Sequence, residues 1–126
     1  MNILLWTLQV LLAVVFVAHG AMMLFPPAAV AELMNASLAR WFQVFIGVAE
    51  IAAAIGLTLP GITRIQPWLV SWAAAGLMIV MICATAYHLT RGEISSAITT
   101  AVLLVMATIV AYMRWHAVPI RSRIAA

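Results

Sequence analysis

The chain has 126 residues, of which 67% are hydrophobic and 7% charged, and a net charge of +3. Soluble domains carry roughly 45–50% apolar and about 25% charged residues, so six basic and three acidic side chains are too few to cover a surface facing water and too scattered for a nucleic-acid footprint. One cysteine, Cys83, excludes an internal disulfide and Cys-x-x-Cys chemistry, and the apolar composition excludes disorder.

The solvent this composition fits is lipid, which a helix crosses with about 20 apolar residues. Residues 3–25 form the first such stretch, without a charge, and Pro26-Pro27 ends it. No Arg or Lys precedes this run, which is also too long for a signal peptide, so a permanent helix is expected. The link 26–41 carries Glu32, Leu33, Met34, Leu38, Arg40 and Trp41, a pattern for a short interfacial amphipathic helix, with a loop as the alternative. Residues 42–59 form the second span, interrupted only by Glu50 and expected to stop at Pro60-Gly61. The third, 67–89, has Pro67 in position for a helix first turn, and Arg91-Gly92 makes the next turn. The fourth is 95–115. Backbone polar groups in lipid must be paired internally, so each stretch is expected to be helical. The expected fold is all-α, a transmembrane four-helix bundle forming a single domain over residues 1–126.

Four spans put the N-terminus, the 60–66 loop and the C-terminal tail on one side, with Arg64, Arg114, Arg121 and Arg123; the other side has Arg40 and Arg91. The positive-inside rule then places both termini in the cytoplasm. Arginine without lysine, with abundant alanine, suggests a bacterial GC-rich genome, and the expected location is the inner membrane.

Glu50 is the most informative residue. An ionised acid near a helix centre costs about 2.5–3.5 kcal/mol even on the lenient insertion scale, so such acids usually face the bundle interior and carry function. With no Arg or Lys in the central part of any span, Glu50 either keeps its proton or pairs with a histidine. At about 1.5 Å per residue, Glu50 lies about 12 Å from the outer end of its span, His19 about 6 Å from that boundary, and His88 close to it. Gln43 lies one or two turns above Glu50. Gln43, Gly47, Glu50 and Ala54 share one face by their four-three-four spacing, and Ser71, Ala74, Met78, Met81, Thr85 and His88 share a face of the third span. On the first span, Gln9, Ala13, Phe16 and Gly20 line a face with His19 beside it. Candidate catalytic residues are therefore Glu50, His19 and His88. Candidate ligand-binding residues are Gln43, Gly47, Met81, Thr85 and Tyr87. No residue pattern calls for a metal, and the histidines make no bis-His haem signature.

The run His19-Gly20-Ala21-Met22-Met23-Leu24-Phe25 resembles the opening motif of the DoxX and DoxX-like membrane proteins. Phe45-Ile46-Gly47-Val48-Ala49-Glu50 and Gly56-Leu57-Thr58-Leu59-Pro60-Gly61 resemble that family's glycine-acid helix and the leucine-proline stop after it. The Tyr87-His88 end of the third span is also similar. The resemblance implies a four-helix integral membrane protein; some relatives are similar to subunits of thiosulfate:quinone oxidoreductases, and others are linked to membrane redox complexes. At Met23 the family pattern commonly has a lysine, which leaves Glu50 to His19 or His88 here.

The expected function is a small subunit that binds a lipophilic, quinone-like molecule in the outer half of the bundle, beside a membrane or peripheral redox partner. Three alternatives stay open: a membrane acid–base enzyme of the isomerase type using Glu50 and a histidine, a proton-coupled exporter, and a structural assembly partner. Partners on every alternative include the lipid bilayer.

Overall fold

The structure is a computed structural model, and it describes residues 1–124. Five α-helices follow in order: α1 (Asn2–Leu24), α2 (Ala28–Ser37), α3 (Arg40–Thr63), α4 (Leu69–Thr90) and α5 (Ile94–Tyr112), the last continuing into a π-helical turn, Met113–Ala117. No strand occurs among the described residues. α1, α3, α4 and α5 with its π turn are each long and apolar enough to cross a membrane. They form an up-and-down bundle in which α1 packs on α3, α3 on α4, and α4 on α5, with α5 returning to α1.

The core runs through the middle of all four, with Leu12, Phe16, Leu57, Leu77 and Val110 fully buried. The outer surface is equally apolar: Val14, Phe45, Ile79 and Val105 are exposed on it. That is the pattern for helices solvated by lipid tails, where hydrophobicity does not drive helices together and close packing must. Gly20 and Gly47 supply such packing. A Cβ on Gly47 would lie 2.8 Å from the carbonyl oxygen of Gly20, and one on Gly20 would lie 2.9 Å from that of Gly47. Only glycines allow α1 and α3 to approach this closely, and the approach brings His19 and Glu50 together.

The element ends differ from the sequence expectation at several points. α3 does not stop at Pro60-Gly61 but runs on to Thr63, ending at Arg64 in the left-handed region. Proline in a membrane helix is tolerated where neighbours satisfy the backbone around it; here Gln9 Nε2 donates to the carbonyl of Leu57, 2.7 Å away. Pro67 precedes α4 in a turn instead of opening it. Arg40 and Trp41 are not part of the interfacial segment; they begin α3, so Glu50 lies about 15 Å from the start of its helix, closer to mid-helix than expected. Cys83 is exposed on the outer face of α4.

The link between the first two spans contains a helix, α2, which buries none of its residues. It is tied down from both sides. Gln43 Nε2 donates to Asn35 Oδ1 and to the carbonyl of Leu38 at 3.0 and 2.8 Å, and the Tyr87 hydroxyl donates to the carbonyl of Ser37 at 3.2 Å. Arg40 donates to the carbonyls of Met23 and Leu24, closing the open C-terminal end of α1.

Candidate functional site

Glu50 is buried, 1% exposed, in the middle of the bundle. Its Oε2 lies 2.7 Å from Nδ1 of His19, which is partly exposed. One proton bridges the two groups. With the carboxylate as acceptor, Nδ1–H points at Glu50, and Nε2 makes no hydrogen bond among the described residues. A carboxylate behind one ring nitrogen fixes the orientation of the imidazole and makes the other nitrogen more basic.

His19 and Glu50 open onto a cleft of about 350 Å³ between α1, α3, α4 and α5. Phe16 and Leu103 form part of its apolar wall, Met81 its floor, and His88, Ser95, Ser96, Thr99 and Thr100 its polar side. Ligand pockets typically span about 300–1,000 Å³, apolar with a few placed polar groups. The hydroxyls of Thr99 and Thr100 donate to carbonyls within α5, while those of Ser95 and Ser96 have no acceptor among the described residues.

His88 reaches the cleft but does not pair with Glu50. Its Nδ1 meets Oε2 of Glu93, whose other oxygen accepts from Arg91 Nε at 2.8 Å. Glu93 is held below the ordinary glutamate range, first by the Arg91 hydrogen bond and then by that of His88. His88 also lines a second, smaller hollow of about 180 Å³ under α2, walled by Met23, Gln43, Tyr87 and Glu93. It therefore stands between the cleft and the bundle end.

The other residues singled out from sequence divide between these two spaces. Met81 lines the cleft, and Thr85 hydrogen-bonds the carbonyl of Met81 and the hydroxyl of Thr100 at its edge. Gln43 and Tyr87 hold α2 and line the smaller hollow. Gly47 sits in the α1–α3 contact and lines neither. Among the described residues no three His, Cys, Asp or Glu side chains come together as a metal-binding group.

Three features were not read from the sequence. The α5 hydroxyls sit in an otherwise apolar run, where a Ser-Ser and Thr-Thr pair four residues apart was available as a signal. Glu93 lies just before α5, where an acid in a turn reads as solvated. Arg114, counted among the charges of the terminal side, is 4% exposed inside the opposite end of the bundle. Its Nε donates to Gln9 Oε1 at 2.6 Å, and its Nη1 to Asn2 Oδ1 at 2.7 Å and to the carbonyl of Val118 at 3.1 Å.

No curated protein and no solved structure matches the chain. The DoxX-like family does, over residues 7–110, a stretch that takes in α1 through most of α5 and with them every wall of the cleft. This multi-pass membrane protein belongs to the DoxX-like family.

Proposed function

We propose that the protein is a small membrane subunit that binds a lipophilic molecule with a hydrogen-bonding head, a quinone by class, in the cleft beside Glu50. The carrying observation is the His19–Glu50 pair opening, together with His88, onto one cleft of about 350 Å³. That volume suits a ring-sized head, with an isoprenoid tail left among the lipid chains. The free hydroxyls of Ser95 and Ser96 can donate to a quinone carbonyl, and an unpaired imidazole Nε2 can accept from a quinol hydroxyl. On this reading a membrane or peripheral partner supplies the redox centre. The redox assignment itself draws on the family resemblance.

We take residues 1–126 as one domain in a bacterial inner membrane, with both termini cytoplasmic. Arg64, Arg114, Arg121 and Arg123 at the terminal end against Arg40 and Arg91 at the other support this orientation. The cleft then lies in the half of the bundle away from the cytoplasm.

The test is mass spectrometry of lipophilic molecules that co-purify with the gently extracted protein, wild type beside Glu50→Gln. A quinone or other isoprenoid in the wild type, depleted in the folded variant, supports the site. Absence of any such molecule from both samples overturns tight binding.

A second function is favoured by the 2.7 Å His19–Glu50 contact: acid–base catalysis on a lipophilic substrate, such as double-bond isomerisation. A carboxylate-oriented imidazole facing a cleft can take up and return one proton. Turnover of the co-purified molecule by wild type and not by Glu50→Gln would separate catalysis from binding alone.

A further inference from the structure

At the end of the bundle that holds the chain termini, the tail folds back over α3. The backbone N–H of Arg123 donates to the carbonyl of Arg64 at 3.0 Å, which brings Arg121 beside Arg64. Together with Arg114 these two arginines line a cavity of about 440 Å³, whose other walls include Asn2, Trp6 and Ile120.

Arg114 is the unusual member. It is 4% exposed, and all three of its hydrogen bonds go to neutral oxygens: the amides of Gln9 and Asn2 and the carbonyl of Val118. Its guanidinium lies over the Trp6 ring, 5.5 Å from the centroid. Among the described residues its Nη2 is buried and has no partner. The chain's three acidic side chains are Glu32, Glu50 and Glu93, and all belong to the middle or the far end of the bundle. A buried charge is costly unless paired, and no carboxylate side chain is within reach of this one. Two further cations, Arg64 and Arg121, line the same cavity, a set that a bound anion would neutralise. The backbone here is also unusual: Arg114 sits in the π-helical turn, a form often found at functional sites.

We propose that this cavity binds a phosphate ester, with Arg114 as the buried anchor and Arg64 and Arg121 as the exposed clamp. Guanidinium groups suit the task, because their planar forks match phosphate oxygens in bidentate fashion. Trp6 and Ile120 provide an apolar side for whatever carries the phosphate. The cavity lies at the terminal end of the four membrane-capable helices, where the ester can come from an anionic lipid or from a free phosphate compound. The site is at the opposite end from the Glu50 cleft and does not depend on what that cleft binds.

The test uses the whole protein in detergent, comparing wild type, the double variant Arg64→Gln/Arg121→Gln, and Arg123→Gln as a charge control. Neither member of the double variant is buried, so the Arg114 network stays intact, and circular dichroism verifies the fold. Native mass spectrometry follows retention of phosphatidylglycerol, and a thermal shift is read with inorganic phosphate and separately with short-chain phosphatidylglycerol. One phosphatidylglycerol retained per chain, reduced on the order of ten-fold in the double variant and unchanged in Arg123→Gln, is the expected result. Stabilisation by phosphatidylglycerol alone assigns the ester to a lipid, and stabilisation by inorganic phosphate as well assigns it to a free compound. Equal losses in the double variant and in Arg123→Gln would mean diffuse charge attraction and overturn the site. So would retention that none of the substitutions changes, or stabilisation by neither probe.

Discussion

At the α2 end of the bundle each histidine has a carboxylate against it: His19 meets Glu50, and His88 meets Glu93, which Arg91 also holds. At the terminal end Arg114 is buried as Glu50 is, but it rests on two amides and a backbone carbonyl. The first arrangement can shift a proton between partners within the protein. The second cannot, because a guanidinium does not release its proton and amides do not accept one. Charge at one end is balanced internally and able to change; at the other it is permanent and calls for a counter-ion from outside. Two polar centres in one small bundle, each with one buried ionisable side chain, thus suit different chemistry.

The largest expected effect comes from separating the helices that make the balanced end. Gly47→Val places a side chain against the backbone oxygen of Gly20, which cannot give way as a side chain can. Overpacking costs about 1–3 kcal/mol and at times more, so a clear fall in thermal midpoint in detergent is expected. The matching change at the other end, Gly61→Val, meets first the Trp6 ring and the Ile120 tip, which are side chains that can give, and should cost less. Equal costs would break the comparison at the level of packing.

Next is Arg114→Met, which leaves the oxygens of Gln9, Asn2 and Val118 without their donor. A buried polar group left unsatisfied costs about 1–3 kcal/mol, measured as a lower unfolding midpoint. A variant as stable as wild type would mean that burying the unpaired charge cancels its hydrogen bonds. Glu50→Gln should act on ligand more than on fold. Loss of one charge-assisted hydrogen bond, about 1.5–3 kcal/mol, corresponds to roughly ten-fold or greater loss of the cleft's molecule, with phosphatidylglycerol retention unchanged. Loss at both ends would show that the two centres are coupled.

The smallest effect concerns pH. Glu93 is held below the ordinary glutamate range by Arg91 and then His88. A depressed carboxylate stabilises the fold fully above its unfolded value, and that contribution disappears as pH falls through the lower folded value. The protection of amides across the turn between α4 and α5, taken relative to an unstructured chain at the same pH, should therefore fall on acidification below the ordinary glutamate range, ahead of protection in the helix centres. An unchanged turn would mean that the Arg91–Glu93–His88 contacts hold nothing in place.

Much of the bundle was legible because lipid imposes a simple rule: long uncharged runs between turn residues become helices. Helix ends were less so, since Pro60 reads as a stop unless a side chain from another helix, here Gln9, serves the backbone nearby. Depth arithmetic put His19 and Glu50 within reach of one another, while nothing along the chain said which histidine would face the acid. That depended on the Gly20–Gly47 contact. The same limitation hid Glu93 as the partner of His88, and it placed Gln43 near Glu50 when the amide in fact turns outward to clasp α2. Arg114 was misjudged for a different reason. Charge at the end of a span reads as interfacial, and only the tail folding back reveals that it is enclosed.

The bond from Arg114 to Gln9 joins residues 105 positions apart, and the one to Asn2 joins residues 112 apart. The first helix therefore carries an amide oxygen into the membrane long before its donor has been synthesised. Until the last span is inserted, Gln9 must find other company, such as water or the insertion machinery. Completion of the bundle is thus signalled only by its final turn, and chains cut short before Arg114 should be recognisable to membrane quality control by that waiting polar group.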